Sequence, residues 1–274
     1  MQVETSQDSS SYKEILYEKH DSTVVLYYNR PEKRNSLSPD LLVRIHQALE
    51  AFVQEDSVRA VVFRGTGDRS FSSGFDIASI PTDIPREIRE KLRRQNPLEL
   101  AIQSVVNFPY PTIAMLNGYA FGAGCELAIC CDLRVAADDV LMGMPPAKLG
   151  IVYPLQGLMR FVQVLGFPKT KELFFTGRYY PAARAKEMGL VDYILPRQEL
   201  EGFTYEMAGE IAGNAPLSVK GTKRILNMLS ETITLSDQDL HEAKGIVAHA
   251  FNSEDLKEGQ TAFLQKRKPV FRGR

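Results

Sequence analysis

The stretch PTIAMLNGYAFGAGCELAICCD, residues 111–132, restricts the fold more than any other part of the chain. A short apolar run, Ile113–Leu116, ends in a glycine-rich turn, and that turn opens an apolar segment of helical composition. A strand–turn–helix of this kind points unsatisfied backbone N–H groups at one spot, with the positive end of a helix dipole behind them. The spacing G-x-x-x-G-x-G, from Gly118 through Gly122 to Gly124, is neither a dinucleotide fingerprint nor a P-loop. What it offers is a bare anion-stabilising turn carrying one carboxylate, Glu126, two residues into the helix. Tight strand–helix packing, which also demands small residues, is the alternative on this stretch alone.

Around it, strands and helices interleave up to about residue 195, and helices follow. Tyr12–Tyr17 and Thr23–Tyr28 read as strands joined by a polar turn at residues 20–22. Ser38 caps a helix with Pro39 at its first position, and Leu41, Leu42, Ile45, Ala48, Leu49, Phe52 and Val53 follow helical spacing. Val58–Phe63 is a buried-type strand feeding the turn Ser72-Ser73-Gly74-Phe75-Asp76. The charged stretch 81–107 reads as helical in pieces and as the mobile, specificity-setting part. Leu133–Ala137 is a strand, 143–157 a proline- and glycine-rich loop, 168–176 and 182–189 helices, and Leu190–Leu195 a strand. Helices near 198–213, 216–229, 235–250 and 254–267 complete the chain. The expected organisation is a disordered tail (1–11), an α/β core (12–195) and an all-helical C-terminal region (196–274).

Composition narrows the function. A net charge of −1 argues against a general nucleic-acid binder. No apolar run approaches the ~18 residues of a membrane span, and no export signal stands at the N-terminus. Cys125, Cys130 and Cys131 read as buried free thiols of a reducing, cytoplasmic compartment. His20, His46, His241 and His249 are scattered, His46 on a helix flank in a solvent-facing or capping position, so a metal site has little support.

The two turns pair functionally. If the strands feeding them are neighbours, each turn offers a backbone N–H to one oxygen, which makes an oxyanion hole for an enolate or tetrahedral intermediate. No G-x-S-x-G elbow or Ser-His-Asp set competes with that reading.

These turns, together with Arg30-Pro-x-Lys-Arg-Asn-Ser-Leu37 before them and Phe263-x-x-Lys-Arg-Lys-Pro269 at the end, resemble the crotonase (enoyl-CoA hydratase/isomerase) superfamily. The resemblance spans residues 12–272. It implies a spiral of ββα units with a helical C-terminal region, self-association as trimers or pairs of trimers, and an acyl-CoA substrate whose coenzyme A is part of the thioester rather than a resident cofactor. It places the oxyanion-hole amides on Phe75 and Ala123. It places coenzyme A against Lys33, Arg34 and Ser36, the segment Ser73, Asp76 and Ile77, and the tail at Phe263 and Lys266. Hydratases of the superfamily use two glutamates; the first matches Glu126, and the second falls on Pro146, which cannot transfer a proton. Pro146-x-x-Leu-Gly-Ile-x-Tyr153 is similar to the methylmalonyl-CoA decarboxylase branch, which also lacks the second glutamate. Phe75 departs from that branch, where a histidine stands. The implied activity is decarboxylation of a short 2-carboxyacyl-CoA through a thioester enolate, with Tyr153 orienting the departing carboxylate or delivering a proton. The alternatives are hydratase or isomerase chemistry with Glu126 as sole acid/base, and a non-catalytic acyl-CoA or RNA-binding relative. The helix 38–55 has no lysine comb for RNA.

Overall fold

The architecture is set by strands that are apolar on both faces. In the computed structural model, which describes residues 14–55, 57–79, 96–230 and 236–272, β2 (Thr23–Tyr28), β3 (Ala60–Gly65), β5 (Thr112–Leu116) and β7 (Leu133–Ala137) are almost wholly buried. Continuous runs of this kind belong in a parallel sheet covered on both sides. They pair in parallel within a six-stranded sheet of order β1-β2-β3-β5-β7-β10, with β1 (Ile15–His20) antiparallel at one edge and β10 (Tyr193–Leu195) at the other.

A second sheet of order β4-β6-β8-β9 consists of three-residue strands: β4 (Ser70–Ser72), β6 (Tyr119–Phe121), β8 (Leu141–Gly143) and β9 (Tyr179–Pro181). Each large-sheet strand β3, β5 and β7 is followed by a small-sheet strand and then a helical segment. This is the expected ββα spiral. The small sheet itself is a correction, since stretches this short carry no alternation to read. β3 also begins two residues later than expected.

Helix α1 (Pro39–Glu55) is capped as expected, the Leu41 N–H donating to Ser38 Oγ at 3.1 Å. It buries Leu41, Leu42, Ile45, Leu49 and Phe52, while Val53 turns outward. His46 is half-buried on the helix flank, with its Nδ1 2.7 Å from Ser104 Oγ on α2 (Pro97–Asn107). Of the charged stretch 81–107, residues 81–95 lie outside the described residues, as does the expected tail 1–11. Helix α3 (Ala123–Cys130) begins one residue before Gly124, so Glu126 is its fourth residue. Helix α4 (Leu155–Thr176) is longer than expected: a break at Gly166 separates the anticipated 168–176 from a first half that the expected loop entered only at 155–157. After α5 (Ala182–Met188) and β10 come α6 (Leu200–Gly213), α7 (Pro216–Ser230), α8 (Asp237–Phe251) and α9 (Glu254–Leu264), each within three residues of expectation.

Two buried polar side chains fix the turns. Asn117 donates from Nδ2 to Gly65 O (2.8 Å) and Gly67 O (2.6 Å) and accepts from the Gly65 N–H, locking the end of β5 to the end of β3. Arg30 pairs with Glu14 (3.0 Å) and Asp76 (3.1 Å) and donates to Ser36 O at 2.7 Å. Ser36 and Asp76 are therefore ligands of Arg30 that hold the 30–37 loop against the 73–77 turn.

Candidate active site

Both glycine turns open into one cavity of about 1730 Å³. Gly74 adopts φ +100°, and a Cβ there would stand 2.7 Å from Phe121 O and 3.5 Å from Ala123 N, so the turns abut with no room for a side chain. The bridge between Leu37 and Phe75 uses the carbonyl of Gly74 and the N–H of Asp76. In a parallel bridge of this register, the N–H of Phe75 itself points away from the partner. Ala123 is the first residue of α3, whose opening N–H groups have no helical acceptor. Among the described residues, neither amide has a backbone acceptor outside the regular elements.

Of the residues expected at the site, Arg34, Ser73, Phe75, Ile77, Ala123, Glu126, Pro146, Tyr153 and Phe263 all line the cavity. Lys33, Ser36, Asp76 and Lys266 do not. Ser36 and Asp76 are taken by Arg30. Instead of Lys266, its neighbour Arg267 reaches the wall, held by Glu258 at 2.6 and 2.7 Å. That bidentate pairing draws the Glu258 carboxyl down to about 2.

Glu126 is only 2 % exposed. The Tyr153 hydroxyl donates to its Oε2, and Arg160 Nη1 donates to its Oε1 at 2.9 Å. The same guanidinium spans to Glu99, with Nη1 on Oε2 at 3.0 Å and Nη2 on Oε1. Gln103 donates to Glu99 Oε1 at 3.0 Å. Burial pushes the Glu126 carboxyl above its ordinary range; Tyr153 and Arg160 pull it back, and Glu99 adds to the rise. Burial, together with Glu126, holds the Tyr153 hydroxyl well above the usual tyrosine range. Cys125 is pushed up to about 12, mainly by burial, so its thiol stays neutral. The three cysteines are free.

Sequence reasoning missed Glu99, Gln103, Arg160 and Gly157. The available signals were an arginine within an apolar helical run and an i,i+4 Glu–Gln pair. Gly157 is where the Tyr153 ring lies: a Cβ would meet Cε1 at 2.5 Å and Glu126 Oε1 at 3.0 Å. Inside a helix, Gly→Ala is intrinsically stabilising by about 1 kcal/mol. Here Gly157→Ala is expected to displace Tyr153 and lower turnover up to about 100-fold, as misplacement by about 1 Å can. Unchanged activity with raised thermal stability would show that the ring is not held by this gap.

Among the described residues, no cluster of three His, Cys, Asp or Glu is arranged to hold a metal ion. Likewise, no helix is long and apolar enough to cross a membrane.

The enoyl-CoA hydratase/isomerase family model matches residues 18–274. A crotonyl-CoA hydratase of Syntrophomonas wolfei subsp. wolfei is 35% identical over 265 residues, covering 95% of this chain and 98% of the relative. A solved methylmalonyl-CoA decarboxylase, in complex with 2-nitronate-propionyl-CoA, superposes with a TM-score of 0.89 at 32% identity, covering 96% of this chain and 100% of that one. An enoyl-CoA hydratase from Bacillus anthracis gives a TM-score of 0.73 at 30% identity, covering 96% and 100%. With one cavity receiving both turns, the ββα spiral and these likenesses agree: the chain belongs to the enoyl-CoA hydratase/isomerase family, whose fold it has and whose members process acyl-CoA.

Proposed function

We propose that the protein decarboxylates a short 2-carboxyacyl-CoA of the methylmalonyl type. The observation that carries this reading is the state of the cavity's carboxylates. Among the described lining residues these are Glu99 and Glu126, and Arg160 binds both. With Tyr153 on its other oxygen, Glu126 is poorly placed to activate water, and Pro146 lines the wall where a second glutamate would be needed. Decarboxylation needs no general base. The C–C bond to the carboxylate breaks, its electron pair enters the thioester as an enolate, and carbon dioxide departs. In this mechanism the enolate oxygen is stabilised by the Phe75 and Ala123 amides and the N-terminal end of α3, each donor being worth about 3–4 kcal/mol in the barrier. The enolate carbon then takes a proton from the Tyr153 hydroxyl, which its surroundings keep protonated, and the phenolate left behind regains a proton from water.

Pairing with Arg160 also offsets the repulsion an ionised Glu126 would exert on a substrate carboxylate. The higher TM-score to the decarboxylase than to a hydratase of nearly equal identity supports the same choice. At the cavity rim, Arg34, Arg69, Lys148 and Lys244 suit the phosphates of coenzyme A. On the C-terminal helices, Leu217 (88 % exposed), Ile225, Leu226 and Leu229 leave α7 with an apolar face suited to self-association as a trimer.

The alternative is hydration through Glu126, favoured by the raised affinity of its carboxyl for a proton and by the likeness to the crotonyl-CoA hydratase. Incubation with methylmalonyl-CoA, ethylmalonyl-CoA and crotonyl-CoA, with products read by mass, separates the two. The expected result is loss of carbon dioxide from a carboxyacyl-CoA. Water addition to crotonyl-CoA with both carboxyacyl thioesters untouched would overturn it.

A further inference from the structure

Arg160 does not line the cavity, yet it holds one oxygen of the buried Glu126 while its other contacts go to Glu99. The exposures run from 3 % for the Glu126 side chain through 17 % for Arg160 to 30 % for Glu99. This is a charge relay in space, from the cavity rim into the site, joining α2, α4 and α3. We propose that Glu99 and Arg160 are positioning residues that act through Glu126, with Glu99 drawing part of the arginine's charge away and so setting how firmly Arg160 holds the active-site carboxylate. The proposal rests on the reading of Glu126 as an active-site group.

One cation shared by two carboxylates leaves the set one negative charge in excess when both are ionised. Removing the cation and removing the outer anion must then act on Glu126 in opposite directions. Without Arg160, Glu126 keeps the burial and loses its counter-charge. Without the Glu99 charge, Arg160 serves Glu126 alone and a like charge is gone. The other titratable or charged groups facing Glu126 are few among the described residues. Tyr153 comes from the segment before α4, Cys125 and Cys130 from α3 itself, and Arg134 on β7 lies towards Cys125. Arg134 is committed to Asp192 at 2.8 Å. The strands β4, β5 and β6 bring no charged side chain.

The test uses the full chain as wild type, Arg160→Gln, Arg160→Lys and Glu99→Gln. The Glu126 carboxyl is followed against pH by infrared difference spectroscopy, with Glu126→Gln identifying its band, and the pH profile of kcat/KM is measured on the carboxyacyl-CoA. Arg160→Gln is expected to move the Glu126 midpoint, and with it the limb of kcat/KM that arises where ionised Glu126 repels the substrate carboxylate, to higher pH by about one to three units. Glu99→Gln should move both to lower pH, and Arg160→Lys should fall nearer wild type than Arg160→Gln does. Midpoints that stay put, or that move the same way in Arg160→Gln and Glu99→Gln, overturn the proposal. If Arg160→Gln fails to fold, Glu99→Gln decides alone, because its shift must be downward. Opposite shifts in a protein that decarboxylates nothing would uphold this coupling and sink only the decarboxylase reading.

Discussion

Ala123→Pro is expected to lower kcat/KM on the carboxyacyl-CoA by about 100- to 1000-fold while leaving the fold in place. Proline deletes one of the two donors proposed for the enolate oxygen, and loss of one such donor has that order of cost. The substitution suits the site unusually well. Ala123 is the first residue of α3, a position where no helical hydrogen bond is lost and where the fixed φ of proline suits a helix start. The preceding Gly122, at φ 52° and ψ −125°, lies outside the α region that a following proline forbids. The ring would also occupy the place the amide hydrogen points to, so affinity falls along with turnover. Ala123→Gly, which keeps the N–H, should stay near wild type. Circular dichroism checks the fold, and a rate for Ala123→Pro close to wild type would show that this amide does not face the charge developed in the reaction.

Second in size is the contrast between Tyr153→Phe and Glu126→Gln. For decarboxylation, Tyr153→Phe removes the proposed proton donor, and a positioned general acid contributes about 100- to 10,000-fold. Glu126→Gln keeps an acceptor for the Tyr153 hydroxyl and should cost less. In a hydratase the order would reverse, because the carboxylate would carry the proton. The pH dependence separates them further. With its affinity for the proton raised by burial and by Glu126, Tyr153 stays protonated through neutral pH and beyond. The rate should therefore show no alkaline loss from tyrosine ionisation in the neutral range. A rate set by Glu126 would change as its raised carboxyl titrates. Steady-state kcat for the two variants across pH distinguishes the cases.

How much of this was legible depends on the range over which each feature is encoded. The buried runs of β2, β3 and β5 and the capped start of α1 are written in consecutive residues and were readable to within a residue or two. So were the starts of α8 and α9, whose Ser236 and Ser253 side chains accept from their first turns. The small sheet was not, since three residues show no period and pair only once the spiral has formed. The first half of α4 was hidden by Pro154 and Gly157, the former an N-cap and the latter a gap for a ring. At the site, glycine turns announce backbone donors, and the family resemblance assigns them to Phe75 and Ala123, both of which line the cavity. Glu99 and Arg160, however, lie 61 residues apart and meet only in space. The contacts of Ser36 and Asp76 with the buried Arg30 were not legible, because a polar residue beside a basic loop looks the same whether it meets a ligand or a buried arginine.

The cavity wall is drawn from distant parts of the chain: Phe75, Ala123 and Tyr153 line it together with Leu240, Val247, Phe251 and Phe263 of α8 and α9. Glycine contact closes the join, since a Cβ on Gly259 would stand 2.5 Å from Leu149 O. During synthesis, then, the groups proposed to stabilise the enolate leave the ribosome well before those that enclose it. A chain ending near residue 230 would lack the α8 and α9 part of that wall, so the cavity is completed only by the last two helices.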